Sequence, residues 1–128
     1  MEKVRAIGGV FFKCKDPEGL ATWYKEHLGF DLAAPFCAAF DLHKAPKAGD
    51  QTVWGTFKQD TDYFNPSTHG FMINLIVDDV QAMLKQVEKG GGQPVGEPST
   101  DEYGTFGWFI DPEGIKVELW SPPSPENT

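Results

Sequence analysis

The residue of this sequence best placed to do chemistry is Glu118. It lies in the stretch Tyr103 to Pro122, YGTFGWFIDPEGIKVELWSP, which reads as one β-hairpin. Pro112 presets φ for the second turn position, and Gly114 accepts the left-handed conformation that closes a type I turn with a bulge. If Asp111 faces Ile115 across that turn, Trp108 faces Glu118 and Phe106 faces Trp120. Alternation then puts Ile115, Val117 and Leu119 on one face and Lys116, Glu118 and Trp120 on the other. Two readings of the glutamate follow. It is an exposed strand residue paired with Lys116 or a neighbour, or it is a cavity carboxylate that accepts a ligand's donor or acts as a base.

Asn74 is the second polar group of interest. In the run Phe71 to Val77 (FMINLIV), Phe71, Ile73, Leu75 and Val77 share a uniformly apolar face, while Met72, Asn74 and Ile76 share a mixed one. A strand asparagine needs a partner if buried, so structural pairing and ligand contact are equal alternatives. His27, His43 and His69 form no HxxxH or HExxH spacing and read as surface or helix-end residues. Cys14 and Cys37 lack CxxC spacing and read as reduced core fillers. No GxSxG elbow and no phosphate loop is present, and Gly90-Gly91-Gly92 reads as a helix stop.

The elements that would position these residues repeat. Ile7 to Cys14 is β-rich. Asp16 and Pro17 start a helix with the apolar stripe Leu20, Trp23, Tyr24 and Leu28, and Gly29 stops it. Strand-like pieces follow at Phe36 to Leu42 and Thr52 to Lys58, and the polar run Asp60 to Gly70 reads as a linker. The pattern then restarts with the strand Phe71 to Val77, a helix over Asp79 to Lys89 with the stripe Val80, Met83, Leu84 and Val87, a glycine stop and the hairpin. The expected fold is α+β, with two βαβββ modules, residues 1–66 and 67–128 of a single domain. A unit this small cannot bury its sheet face alone, so the two modules should cover each other, with helices outside.

The chain has 128 residues and a net charge of −8, which argues against nucleic acid and anionic membranes as partners. No apolar run is long enough to span a bilayer, and the opening Met-Glu-Lys-Val-Arg lacks an apolar signal segment, so a cytoplasmic location is expected.

With its two βαβββ modules, the segment Asp16 to Phe30 (DPEGLATWYKEHLGF), the helix start at Val77 to Val80 and the ending Asp111 to Trp120 (DPEGIKVELW), the chain resembles the vicinal oxygen chelate superfamily. That superfamily includes glyoxalase I, extradiol dioxygenases and bleomycin-resistance proteins. The resemblance implies a concave mixed sheet, a half-barrel, commonly within a homodimer. It also implies, in metal-dependent members, four side-chain ligands. Glu118 matches the glutamate position. Met72 and Gly9 stand where the first strands would offer His or Gln, and Thr52 to Lys58 contains neither Glu nor His. One ligand of four does not hold a divalent cation.

The expected function is therefore a small-molecule binding protein of the bleomycin-resistance type without a complete metal site, and no cofactor is expected. Trp108, Glu118, Asn74, Met72, Phe11, Trp54, Phe106 and Trp120 would line its cavity and take an aromatic or cationic ligand. The alternative is a metal-dependent lyase, isomerase or dioxygenase with Glu118 as metal ligand or catalytic base. A third reading is a protein of dimer or partner assembly with a vestigial cavity.

Overall fold

The computed structural model describes residues 1–3, 9–41 and 50–123. His43 and the ends of the expected pieces at Ile7 and Leu42 lie outside these residues. Helix α1 spans Pro17–Leu28. The Asp16 carboxylate accepts the Gly19 amide at 3.0 Å, and Gly29 ends the helix at φ 74°, a left-handed conformation that glycine adopts without a Cβ clash. A short hairpin follows, of β1 (Leu32–Ala34) and β2 (Cys37–Ala38). The second half contains β3 (Ile73–Ile76), α2 (Val80–Lys89), β4 (Gln93–Pro94), β5 (Ser99–Asp101), β6 (Gly104–Ile110) and β7 (Lys116–Ser121). Asp79 caps α2 through the Ala82 amide at 3.0 Å, and the glycine stop closes it, with the Gly92 amide donating to the Val87 carbonyl.

The main sheet runs β3-β7-β6-β4, with β5 paired to β6. It is mixed and open: β3 runs parallel to β7, and β6 and β7 are antiparallel. One face packs on the helices. Phe109, Ile115, Val117 and Leu119 are buried there with Val80, Leu84 and Val87 of α2 and Leu20 and Tyr24 of α1. Gly107 lets α2 sit down on β6, because a Cβ at that position would stand 2.7 Å from Val80 and 2.9 Å from Leu84. The fold is thus α+β, with the helices on one side of the sheet and the other side without a helix.

The two halves are unequally developed. Residues 9–14 and 52–58 carry no strand, and of residues 36–41 only the two of β2 do. A strand exists only through a ladder partner, and among the described residues these segments have none. Large aromatic side chains of these segments lie in solvent instead, Phe11 at 95% exposure and Trp54 at 79%. Among the described residues, no helix is long and apolar enough to cross a membrane.

Candidate functional site

The turn that fixes the site is built around a buried carboxylate. Asp111 Oδ1 accepts the Glu113 and Ile115 amides at 2.9 and 3.0 Å, and Oδ2 accepts the Tyr24 hydroxyl at 2.8 Å. Gly114 takes φ 80°, and its amide donates to the Asp111 carbonyl at 2.9 Å. The resulting register pairs Trp108 with Glu118 and Phe106 with Trp120, as the sequence predicts. On the other side of β7, Asn74 pairs with Glu118 and Ile76 with Trp120. Asn74, Glu118 and Trp108 therefore form one row across the free face. Ile76, Trp120 and Phe106 form the next row, and Lys116 lies on the far side of Glu118.

Glu118 is only 8% exposed. Its Oε1 accepts Asn74 Nδ2 at 2.8 Å, and its Oε2 accepts Trp108 Nε1 at 2.9 Å and the Tyr63 hydroxyl at 2.5 Å. Every buried side-chain nitrogen or oxygen among the described residues has a hydrogen-bond partner. Lys116 is buried beside this group, donates to the Tyr63 carbonyl at 2.6 Å, and stands 5.2 Å from the centre of the Tyr63 ring and 5.9 Å from that of Trp108. Burial lowers the Lys116 pKa, while the charges of Glu118 and Asp62 oppose the shift. The Tyr63 hydroxyl is pushed up to about 12, first by burial and then by its bond to Glu118 and the charge of that carboxylate.

The structure thus brings Glu118, Trp108 and Asn74 together and stacks Phe106 on Trp120, with ring centres 6.2 Å apart and planes 4° from parallel. Met72 is half-buried in the residues leading into β3. Phe11 and Trp54 are exposed, outside this group, because the segments that carry them are not laid onto the sheet. His27 packs against Trp23, with ring centres 5.3 Å apart. His69 Nε2 lies 3.4 Å from the Glu113 carbonyl, at the turn. Cys14 and Cys37 are free thiols, but Cys37 is exposed rather than a core filler, since its hairpin lies outside the core. A cleft of about 480 Å³ lined by Lys13, Cys14, Lys15, Thr68, His69 and Glu113 lies at the turn and does not include Glu118. Its acidic member is already engaged, since Glu113 accepts the Lys15 and Asp16 amides at 3.0 Å each.

Sequence reasoning missed Tyr63. It falls in Asp60 to Gly70, a polar run with no periodicity, now seen as consecutive turns that lean on the sheet. A usable signal existed in composition: Tyr63 and Phe64 are apolar residues in a segment otherwise suited to solvent.

A divalent cation does not fit this donor set. Asn74, Trp108 and Tyr63 direct hydrogens at the carboxylate, whereas a cation needs lone pairs from several side chains. Among the described residues, no three His, Cys, Asp or Glu side chains are grouped so as to hold an ion.

Residues 9–120 match the sequence profile of the Glyoxalase-like domain. None of the curated proteins compared by sequence matches the chain. The solved structures that share the fold include three of nearly full coverage. TnmS3, an antibiotic-binding protein from a Streptomyces species, is 23% identical with a TM-score of 0.60, over 96% of this chain and 100% of its own. An integron cassette protein from the mobile metagenome of V. cholerae is 17% identical with a TM-score of 0.58, over 94% and 98%. A glyoxalase-related enzyme from Fulvimarina pelagi is 14% identical with a TM-score of 0.57, over 96% and 90%.

Proposed function

Because this chain belongs to the Glyoxalase-like domain family of the vicinal oxygen chelate superfamily, we propose that it is a small-molecule binding protein whose ligand meets the free face of the sheet at Glu118. The observation that carries this reading is the Glu118 carboxylate itself. It is charged chemistry held still by Asn74 and Trp108 from the two flanking strands, on the face that the helices leave uncovered. A preorganised acceptor beside aromatic surface fixes a ligand's orientation, and Phe106, Trp108 and Trp120 supply that surface. TnmS3 binds an antibiotic on a shared fold, which is consistent with such a role. The alternative, a metal-dependent lyase, isomerase or dioxygenase, asks for lone pairs where this row supplies hydrogens. The reading includes a homodimer. Phe11, Val53, Trp54 and Phe57 are exposed apolar groups of the kind that partner surfaces cover.

The test is calorimetry against a panel of planar aromatic compounds, neutral and cationic. A binder found with the wild type should lose about tenfold or more in affinity in Glu118→Gln, the cost of one charge-assisted hydrogen bond. Zinc or nickel should leave the melting temperature unchanged, since a ligand stabilises only a state that it binds. A stoichiometric metal held by Glu118 and two other side chains would sink this reading, as would binders indifferent to Glu118→Gln.

A further inference from the structure

The three donors on Glu118 are not equivalent. Asn74 and Trp108 stand directly across the ladder from it, so the sheet itself sets their positions. Tyr63 comes from outside the sheet, from a segment without strand, and is 37% exposed. Yet its side chain makes the set of contacts a small aromatic ligand would make. Its hydroxyl donates to Glu118 Oε2, its ring stacks on Phe57 at 5.4 Å and meets Trp108 edge-on at 6.3 Å, and the Lys116 ammonium stands over its face.

We infer that Tyr63 is a built-in occupant of the ligand site, and that the ligands of this site are neutral planar phenols that take its place. The inference rests on the binding role proposed for Glu118 and names the ligand's chemistry. Three observations support it. Without Tyr63, Glu118 still has Asn74 on Oε1 and Trp108 on Oε2, so the carboxylate stays in position and presents a free lone pair where the phenol stood. The segment has backbone hydrogen bonds that do not involve the Tyr63 side chain. The Thr61 amide donates to the Lys58 carbonyl, the Asn65 amide to the Asp62 carbonyl and the Ser67 amide to the Phe64 carbonyl, while Lys116 holds the Tyr63 backbone carbonyl. The side chain can therefore rotate out while its backbone stays. The third observation is the charge pattern. The ammonium of Lys116 opposes a cation in this slot and the carboxylate of Glu118 opposes a phenolate, which leaves a neutral ring with a hydroxyl donor. One row along, about 7 Å away at two residues of strand rise, Phe106 and Trp120 offer surface for a second fused ring.

An occupant reduces apparent affinity by the fraction of molecules in which it has left. If Tyr63 is out in about a tenth of molecules, its removal tightens binding about tenfold. The probes are 2-naphthol and its methyl ether, 2-methoxynaphthalene, which keeps the rings but has no donor. They are titrated calorimetrically into the wild type, Tyr63→Phe, Tyr63→Ala, Glu118→Gln and the double variant Tyr63→Ala/Glu118→Gln, each first shown to be folded by the dispersion of its proton NMR spectrum. The expected result is that 2-naphthol binds Tyr63→Ala about tenfold more tightly than wild type. Tyr63→Phe should fall between them, because its ring remains but its competing donor is gone. In Tyr63→Ala, 2-naphthol should beat the ether by about tenfold, and Glu118→Gln should erase that preference. Equal affinity of 2-naphthol for wild type and Tyr63→Ala overturns the inference, as does weaker binding to Tyr63→Ala or an ether that binds as well as the phenol. If Glu118→Gln weakens 2-naphthol in the wild-type background while Tyr63→Ala changes nothing, the occupant role falls and the binding role of Glu118 stands. If neither probe binds any variant, the inference that the site takes neutral phenols falls and the binding role of Glu118 stands; if both probes bind and Glu118→Gln affects neither, both readings fall.

Discussion

Glu118 and Tyr63 show how a buried carboxylate on a sheet is kept in place by neutral partners. Burial first, and then the bond to the Glu118 carboxylate, favours the protonated phenol, so the Tyr63 pKa rises from 10 to about 12. The raised folded-state value means that this stability is fully present below pH 10 and is lost as the pH climbs through about 12. Because Tyr63 is partly exposed, solvent screening cuts the contribution to on the order of 1 kcal/mol. Urea denaturation of wild type and Tyr63→Phe should therefore show a wild-type advantage at pH 8 that shrinks above pH 10, and an advantage that grows there would contradict it. Lys116 carries the opposite sign. Its lowered folded-state pKa means the unfolded chain holds the proton longer, so its term rises with pH up to the ordinary lysine range, in wild type and variant alike.

Among the elements, the hairpin of β6 and β7 was the most legible, because Asp-Pro-Glu-Gly specifies its own turn and one turn sets the facing of every residue after it. Both helices were legible from Asp16 and Asp79 as caps and from their glycine stops. The strand-like pieces of the first half were not, because alternating hydrophobicity shows that a segment could pair but not what it pairs with. Phe11 and Trp54, expected to line the cavity, stand in solvent. Tyr63 was hidden for the converse reason, since turns have no period to read. The hairpin's dependence on Asp111 gives a prediction. Asp111→Ala removes the acceptor of two turn amides and of the buried Tyr24 hydroxyl, and should cost about 2–4 kcal/mol in urea denaturation. A loss below about 0.5 kcal/mol, the range of ordinary surface substitutions, would show that the turn holds without its carboxylate.

For the whole molecule, the imbalance between the two faces of the sheet sets the expectation. Helices cover one face, while Phe11, Val53, Trp54 and Phe57 leave apolar surface open in segments that carry no strand. A second copy covering that surface would bury large aromatic groups, each worth about 1.5–3 kcal/mol when fully buried. Light scattering at about 10 μM should give twice the chain mass of 14.2 kDa, and Phe11→Glu/Trp54→Glu should return it to the monomer mass. A wild type that runs at the monomer mass would remove the homodimer.

The grip of the hairpin turn on α1 has a consequence for how the chain is made. The Tyr24 hydroxyl finds its acceptor 87 residues later, at Asp111, and the amides of Lys15 and Asp16 find theirs at Glu113, 98 and 97 residues on. A ribosome adds about 5–20 residues per second, so α1 waits several seconds for the groups that anchor it. Over that interval its capped ends can hold a helix, but its buried tyrosine has nothing to bond. Closing loops of this length is costly in entropy and is rewarded only when the last strands arrive. The first half of this protein therefore takes its final form only once the hairpin of the second half has been synthesised.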